Sequence, residues 1–531
     1  MLWWMTVALT GYLKSHHATK QEAQPSNGEQ SAHLVPETYK GIYSMNKYLG
    51  KKSHNIVRSF IERYTEEGQI VSAHLVPETY KGIYSMHKYW GKKPHNIVRS
   101  FIERYTEEGQ IVMDPFCGSG VTAIEALFTK RKAIAIDINP IATFITRATL
   151  LPVPPSDMEM EYRRIRDTIE SSINEFYLTR CTRCGADAVG THFIWEGDVI
   201  KKIWYQCTAC GERKGVKAPE QADYDRVYSV DTQRIPYFYP QTPLYENSRL
   251  NTYTGMTVAD LFTKRNLMAL SMLLYEIEQV KDDLLRDVFR FTFTSCVAQA
   301  SKLVFVVKHR GRTSGNAKHE REEVGSWVTG YWIPNERFEL NVWRCFENRF
   351  RRVLNGKKEA FMRLSGSYLE AETYKDLTQG RNILICTRSA TDLSNLPDES
   401  IDYIFTDPPH GDRIPYMELS LIWMSWLRLE GDFESEIVIS AAKNRNKNIG
   451  DYQMRLALAF KEMHRVLKNG RYMSVAFNSR DAKAWHAFLA SCRNLGFEIV
   501  DITHVQYSAN SVLQDSREGG LKGDFVLTFR K

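Results

Sequence analysis

The chain has 531 residues, 43% of them hydrophobic and 25% charged, and 70 Lys+Arg against 63 Asp+Glu give a net charge of +7. This is the composition of a soluble globular protein long enough for more than one domain, and the lack of any run of 18 or more apolar residues excludes a spanning helix. The mildly basic balance suits a polyanionic partner, although many proteins without one share it.

In chain order, the apolar stretch from Met1 to Leu13 lacks the basic start and cleavage site of a signal and is expected to be a loose leader. Residues 14–30 are polar, so 1–30 reads as disordered. Residues 31–71 then recur as 72–112 with three differences: Asn46 becomes His87, Leu49 becomes Trp90 and Ser53 becomes Pro94. Two near-identical units do not make a solenoid. Only the second copy runs into Met113-Asp114-Pro115, so it is the copy expected to pack; the first is expected as an appendage, with competition for the same groove as the alternative.

Ile111-Val112-Met113 reads as a strand entering the loop Asp114-Pro115-Phe116-Cys117-Gly118-Ser119-Gly120. Val121–Lys130 has helical periodicity, and Ala133–Asp137 is a buried parallel strand ending in an acid. The pattern breaks after about residue 150 and resumes with strands at 383–386, 401–406, 471–477 and 524–530. An amphipathic helix over 454–467 is expected to stop at Lys468-Asn469-Gly470. The fold class is α/β, a doubly wound sheet built from 72–150 and 381–531, with an insertion at 151–380 between its second and third strands. Such an insertion is expected to spring from the carboxyl ends of the strands, overhang the ligand edge and carry target recognition.

Gly118 and Gly120 permit a sharp turn and close approach of a ligand. Asp114, at the end of its strand, suits an ammonium group, and Asp137 suits the two hydroxyls of a ribose. A methyl-donor nucleoside and a dinucleotide both fit this pattern, but the GxGxxG spacing is absent. Far downstream stands Asp407-Pro408-Pro409-His410. The Asp407 carboxylate and the Pro408 carbonyl offer two acceptors for the N–H groups of a ring-conjugated amino group, and two consecutive prolines stiffen the turn that holds them. His410 is expected to stack on that ring.

Cys181-x2-Cys184 and Cys207-x2-Cys210, with 22 residues between the pairs, have the spacing of a zinc ribbon (about 178–215) that holds one structural Zn2+. Cysteines used in this way point to a reducing, cytoplasmic location. Two basic loops, one from Lys308 to Arg312 with Lys318 beyond, the other Lys443–Lys447, are candidate phosphate contacts or solvated surface; Trp327, Tyr331 and Trp332 are candidates for stacking or core.

Asp114–Gly120 and Asp407–His410 resemble the FxGxG and DPPY signatures of N6-adenine/N4-cytosine DNA methyltransferases. More closely, the chain resembles the adenine-specific DNA methylases that contain a zinc ribbon, and His87–Pro94, Ser389–Leu393 and Ile414-Pro415-Tyr416 resemble further segments of that family. The resemblance implies a Rossmann-like class I methyltransferase sheet, S-adenosylmethionine as cofactor, and base flipping followed by in-line methyl transfer, to N6 of adenine rather than N4 of cytosine. It implies cofactor contacts from Trp90, Lys92, Pro94, Asp114, Pro115, Phe116, Gly118, Gly120, Asp137 and Asp392. Double-stranded DNA is the implied partner, with a restriction endonuclease encoded elsewhere as a candidate in a restriction-modification pair. His410 departs from the family's aromatic residue, and the duplicated lead-in is foreign to its pattern. An RNA N2-guanine methyltransferase and a catalytically impaired DNA-binding protein are the alternative readings.

Overall fold

The computed structural model describes residues 77–78, 80–309, 321–327, 330–479, 482–506 and 523–531. The expectations for 1–30, for the first repeat copy and for most of the Lys308–Lys318 loop lie outside the described residues. From residue 80 the second copy enters helix α1 (His95–Tyr105) through an extended Pro94, and this helix buries Ile97, Val98, Phe101 and Ile102.

Next come β1 (Ile111–Asp114), α2 (Val121–Phe128), β2 (Lys132–Asp137) and α3 (Pro140–Leu150). The inserted region holds α4 (Pro155–Glu175), β3 (Leu178–Arg180), β4 (Asp187–Glu196), β5 (Val199–Cys207), β6 (Glu212–Lys217) and α5 (Gln221–Asp231). It continues with α6 (Lys264–Glu278), α7 (Asp283–Val297), β7 (Val304–His309), β8 (Arg321–Trp327), β9 (Glu336–Leu340) and α8 (Val342–Leu364). The chain then runs through β10 (Glu370–Ala371), α9 (Tyr374–Thr378), β11 (Ile383–Thr387), β12 (Ile401–Thr406) and α10 (Tyr416–Met424). It ends with α11 (Ile449–Val466), β13 (Leu467–Phe477), α12 (Ala482–Asn494), β14 (Glu498–Gln506) and β15 (Gly523–Arg530).

Eight strands form the larger sheet in the order β10-β11-β2-β1-β12-β13-β15-β14, parallel except for β15, which runs antiparallel to both neighbours. Alternating side chains feed two cores. Val112, Ala133, Ala135, Tyr403 and Phe405 lie in one, and Met113, Ile134, Ile136 and Ile404 in the other. Helices therefore cover both faces. The chain moves outward from β1 to β2 and β11, then crosses back to β12 and β13. The order reverses between β1 and β12, and the crevice outside the carboxyl ends at such a reversal is where ligands bind.

The insertion does not spring from that edge. It leaves after α3 has run back along the sheet and rejoins ahead of β10 and β11, at the amino ends of the strands. It reaches the ligand side by packing instead. Phe262 and Phe293 meet Trp426 edge-on at 5.9 and 5.4 Å, and the Tyr331 hydroxyl donates to Glu418 O at 2.8 Å. At the other end the buried Lys357 ammonium of α8 donates to Ala148 O, Thr149 O and Leu151 O, capping α3. α11 ends at Val466, beside the expected stop at Lys468-Asn469-Gly470. β13 begins at Leu467, and the three residues lie in a bulge where the register slips between Ile401↔Leu467 and Tyr403↔Tyr472.

Candidate active site

Because β1, β2, β11 and β12 are parallel neighbours, their carboxyl ends open on one edge. The pairing Met113↔Ile404 brings the ends of β1 and β12 level, and Thr406 Oγ1 donates to Asp114 Oδ1 at 2.7 Å across them. One pocket at this edge is lined by Asp114, Gly118 and Asp137 from the first segment and by Asp407 and Pro409 from the second.

The Gly loop leaves β1 and feeds α2. Gly118 has φ 50°, and a Cβ there would stand 3.0 Å from the Tyr89 ring, so both backbone shape and space call for glycine. The Asp137 carboxylate accepts from Gly118 N and Asn139 N, both at 2.9 Å, which ties the end of β2 to the loop. Burial pushes its carboxyl up to about 7. The Asp114 carboxylate accepts from Thr406 Oγ1, from Thr122 Oγ1 (2.7 Å) and from Phe116 N (3.1 Å). Burial pushes it up to about 6, against the pull of those threonine bonds.

Trp90, Lys92, Pro115 and Phe116 also stand on the pocket wall. The Trp90 ring lies 4.7 Å from that of Trp423, and its Nε1 is buried with no hydrogen-bond partner among the described residues. The Lys92 ammonium is held by backbone carbonyls. It donates to His87 O at 2.6 Å and Tyr84 O at 3.1 Å, and burial lowers it to about 8. Pro94, Gly120 and Asp392 are not on the wall. Pro94 starts α1, and Gly120 starts α2 with φ 79°. Asp392 is more than half exposed and pairs with Arg388 at 2.8 Å; its neighbours Ser389 and Ala390 line the pocket in its place.

At the end of β12, Asp407 Oδ2 lies 3.0 Å from Lys93 Nζ, which also reaches Asp524 Oδ2 at 2.6 Å. His410 Nε2 stands 2.9 Å from Asp407 Oδ1. The imidazole is buried against Phe477, 4.8 Å between centroids with the rings at 67°, and it lines the second cavity at this edge. Pro408 is buried and lines neither cavity at this edge, while Pro409 O accepts from the Tyr452 hydroxyl at 2.7 Å. A second cavity of about 450 Å3 opens on Asp407 and His410 from the side of the lead-in.

Tyr89, Lys93 and Tyr416 also stand on the wall; they lie in segments that carry the family resemblance, which assigns them no role, and Glu436 carries no signal in sequence. Asn139 is different. Asn before Pro140 is a helix-start signature, and its side chain caps α3 while donating to Ser420 Oγ at 2.7 Å. Two cations of the Lys443–Lys447 loop turn inward rather than toward a phosphate, while Lys443, Asn444 and Asn446 are exposed. Arg445 is buried between Glu418 (2.6 Å) and Glu436 (2.7 Å), and Lys447 is buried against Glu434 O and Asp451, because the acids beneath the pocket need compensating charge. Lys443 pairs with Glu246. Trp327 packs among Trp90 and Trp423, Tyr331 is core, and Trp332 is 48% exposed.

In the inserted region β4 and β5 pair antiparallel, flanked by β3 and β6. This arrangement brings the Sγ atoms of Cys181, Cys184, Cys207 and Cys210 within 4.8 Å of one another, with 3.7 Å between 181 and 210 and 3.6 Å between 184 and 207. Among the described residues no helix is long and apolar enough to cross a membrane.

No curated protein matches the chain. Among solved structures, the [4+2]-cyclase SpnF is similar at 16% identity and a TM-score of 0.16, over 30% of this chain and 59% of its own, a likeness too slight to carry any argument. The aligned part thus spans less than two-thirds of that structure. Residues 15–145, about a quarter of the chain, match the model of a family described as DNA methylase. With a mixed α/β fold consistent with methyltransferases that use S-adenosylmethionine, that match supports an N6-adenine/N4-cytosine DNA methyltransferase family, whose members act on exocyclic amino groups.

Proposed function

We propose that the protein is an S-adenosylmethionine-dependent DNA methyltransferase that modifies an exocyclic base amino group, N6 of adenine by resemblance, on a nucleotide turned out of the duplex. The observation that carries this reading is the shared pocket of Asp407 with Asp114, Gly118 and Asp137 at the sheet's reversal point. When bound, S-adenosylmethionine supplies a methyl group carried on a sulfonium. The residues present suit that cofactor: Asp137 retains lone pairs for ribose hydroxyls, Asp114 is an acid for the ammonium, and Gly118 leaves room beside Tyr89.

An amino group conjugated to a ring is a poor nucleophile, so the chain's work is orientation. Asp407 is the acceptor for one N–H. Lys93 holds one carboxylate oxygen and is a positioning residue; the other, Oδ1, lies beside His410 with no hydrogen-bond partner among the described residues and is left for that N–H. The second cavity is the route for the flipped base. The four cysteines fit a structural Zn2+, since tetrahedral Zn–S bonds of about 2.3 Å give S···S edges of roughly 3.8 Å and a four-thiolate set leaves no open position.

The test is incubation of the full chain with radiolabelled cofactor and either duplex DNA or tRNA. Label is expected in DNA, and Asp407→Ala is expected to lose at least about 10²-fold in rate, the order for one preorganised group, while still binding cofactor. Near-normal turnover by that variant, or label in tRNA alone, overturns the reading.

A further inference from the structure

The second cavity is lined by six cations, Lys88, Lys92, Lys93, Arg349, Arg352 and Arg413, and by only two carboxylates, Asp407 and Asp524. Three of the cations are engaged within the chain. Lys92 is held by carbonyls, Lys93 bridges both carboxylates, and Arg413 lies 3.8 Å from Asp524 and 3.3 Å from His410 Nδ1. The other three come from two separate segments. Arg349 and Arg352 stand one turn apart on α8, three residues having brought them to the same face. Lys88 faces them from the lead-in, donating to Ser326 Oγ at 3.1 Å with its ammonium 5.3 Å from the Trp327 ring centroid.

Among the described residues none of these three meets a carboxylate, although the chain is rich in ion pairs elsewhere. They act on one another instead. Burial first, then the neighbouring guanidinium groups, lowers Lys88, and burial and then Arg352 lowers Arg349. Three like charges gathered at a half-buried rim are unfavourable until an anion arrives.

We infer that Lys88, Arg349 and Arg352 form a phosphodiester-binding site that grips the strand whose base enters the cavity beside Asp407. This inference rests on the proposed function and adds to it the residues that hold the nucleic-acid backbone. A base turned out of the helix rotates about its own sugar-phosphate backbone, so its flanking phosphate stays at the mouth while the ring goes in. Two guanidinium forks match phosphate oxygens in geometry as well as charge, and the lysine adds a compact charge opposite them. Contacts of this kind hold the strand without reading its sequence.

The experiment is a salt titration of binding to mixed-sequence duplex DNA, followed by fluorescence anisotropy, for the wild-type chain, Arg352→Gln and Arg349→Gln/Arg352→Gln. Cofactor binding is measured in parallel by calorimetry, and inorganic phosphate is a separate ligand. Each lost contact should reduce the slope of log K against log salt by about 1 and weaken binding similarly on every sequence. Cofactor affinity should stay within about twofold, which also reports that the variants are folded. If the double variant fails to fold, the exposed Arg352→Gln decides alone. An unchanged slope, while the wild type binds DNA, overturns the site and leaves the proposed function standing. A slope that stays unchanged while phosphate binding is lost assigns the cluster to a free anion and likewise overturns the inference. A wild-type chain that binds no DNA at any salt overturns the proposed function itself, and this site with it.

Discussion

Asp407 sits between a lysine at one oxygen and an imidazole at the other. Asp137 and Asp114 sit among backbone amides and threonine hydroxyls, with no cation paired to them among the described residues. That difference has a consequence for pH. Burial leaves Asp137 at about 7 and Asp114 at about 6, so both ionise only as pH rises through that range. A ligand that gives them hydroxyl and ammonium donors needs the ionised forms. Cofactor affinity should therefore weaken roughly tenfold from pH 8 to pH 6, and Asp137→Asn should flatten most of that change. Calorimetry at several pH values checks it; a flat wild-type profile removes Asp137 from the ligand contacts. The motifs made these acids legible from sequence. Lys93 was not, because its partner Asp407 lies hundreds of residues downstream and nothing in Gly91-Lys92-Lys93 says which lysine turns inward.

Elements differ in how much they reveal of themselves. The strand, glycine turn and helix from β1 to α2 follow from local rules: a buried apolar run, two positive-φ glycines and a helical repeat. The cysteine knuckles are similar, each closed by a glycine with positive φ, Gly185 and Gly211. Cys184→Ser should therefore reduce bound zinc from one per chain to none and lower the Tm, with cofactor affinity unchanged. Metal analysis and thermal unfolding test this, and a variant that keeps its metal removes Cys184 from the ligand set. Lys443–Lys447 misled because a run of charge looks the same whether it faces water or buried acids. Lys468-Asn469-Gly470 marked the end of α11 within one or two residues but not the strand bulge that these turn-forming residues also serve.

Across the molecule, the repeat poses the sharpest question. His87, Trp90 and Pro94, the three positions at which the copies differ, all have structural work in the second copy. His87 is buried, with Nε2 3.2 Å from Thr294 Oγ1, Trp90 packs on Trp423, and Pro94 begins α1. Giving the second copy the first copy's residues, His87→Asn/Trp90→Leu/Pro94→Ser, should cost about 1–3 kcal/mol and weaken cofactor binding. Deleting 31–71 should change neither. Thermal unfolding and calorimetry on both variants decide, and loss of folding on the deletion would mean that the first copy is the one in use. The α/β alternation, the two Gly and Pro-rich turns and the cysteine set are legible in the chain because each depends on residues near one another in sequence. The partners of His410 and Arg445, the exit of the insertion at the amino edge and the gathering of Lys88 with Arg349 and Arg352 are not. Each of those results from two remote segments packing together, and charge or polarity alone does not say which remote group will be the neighbour.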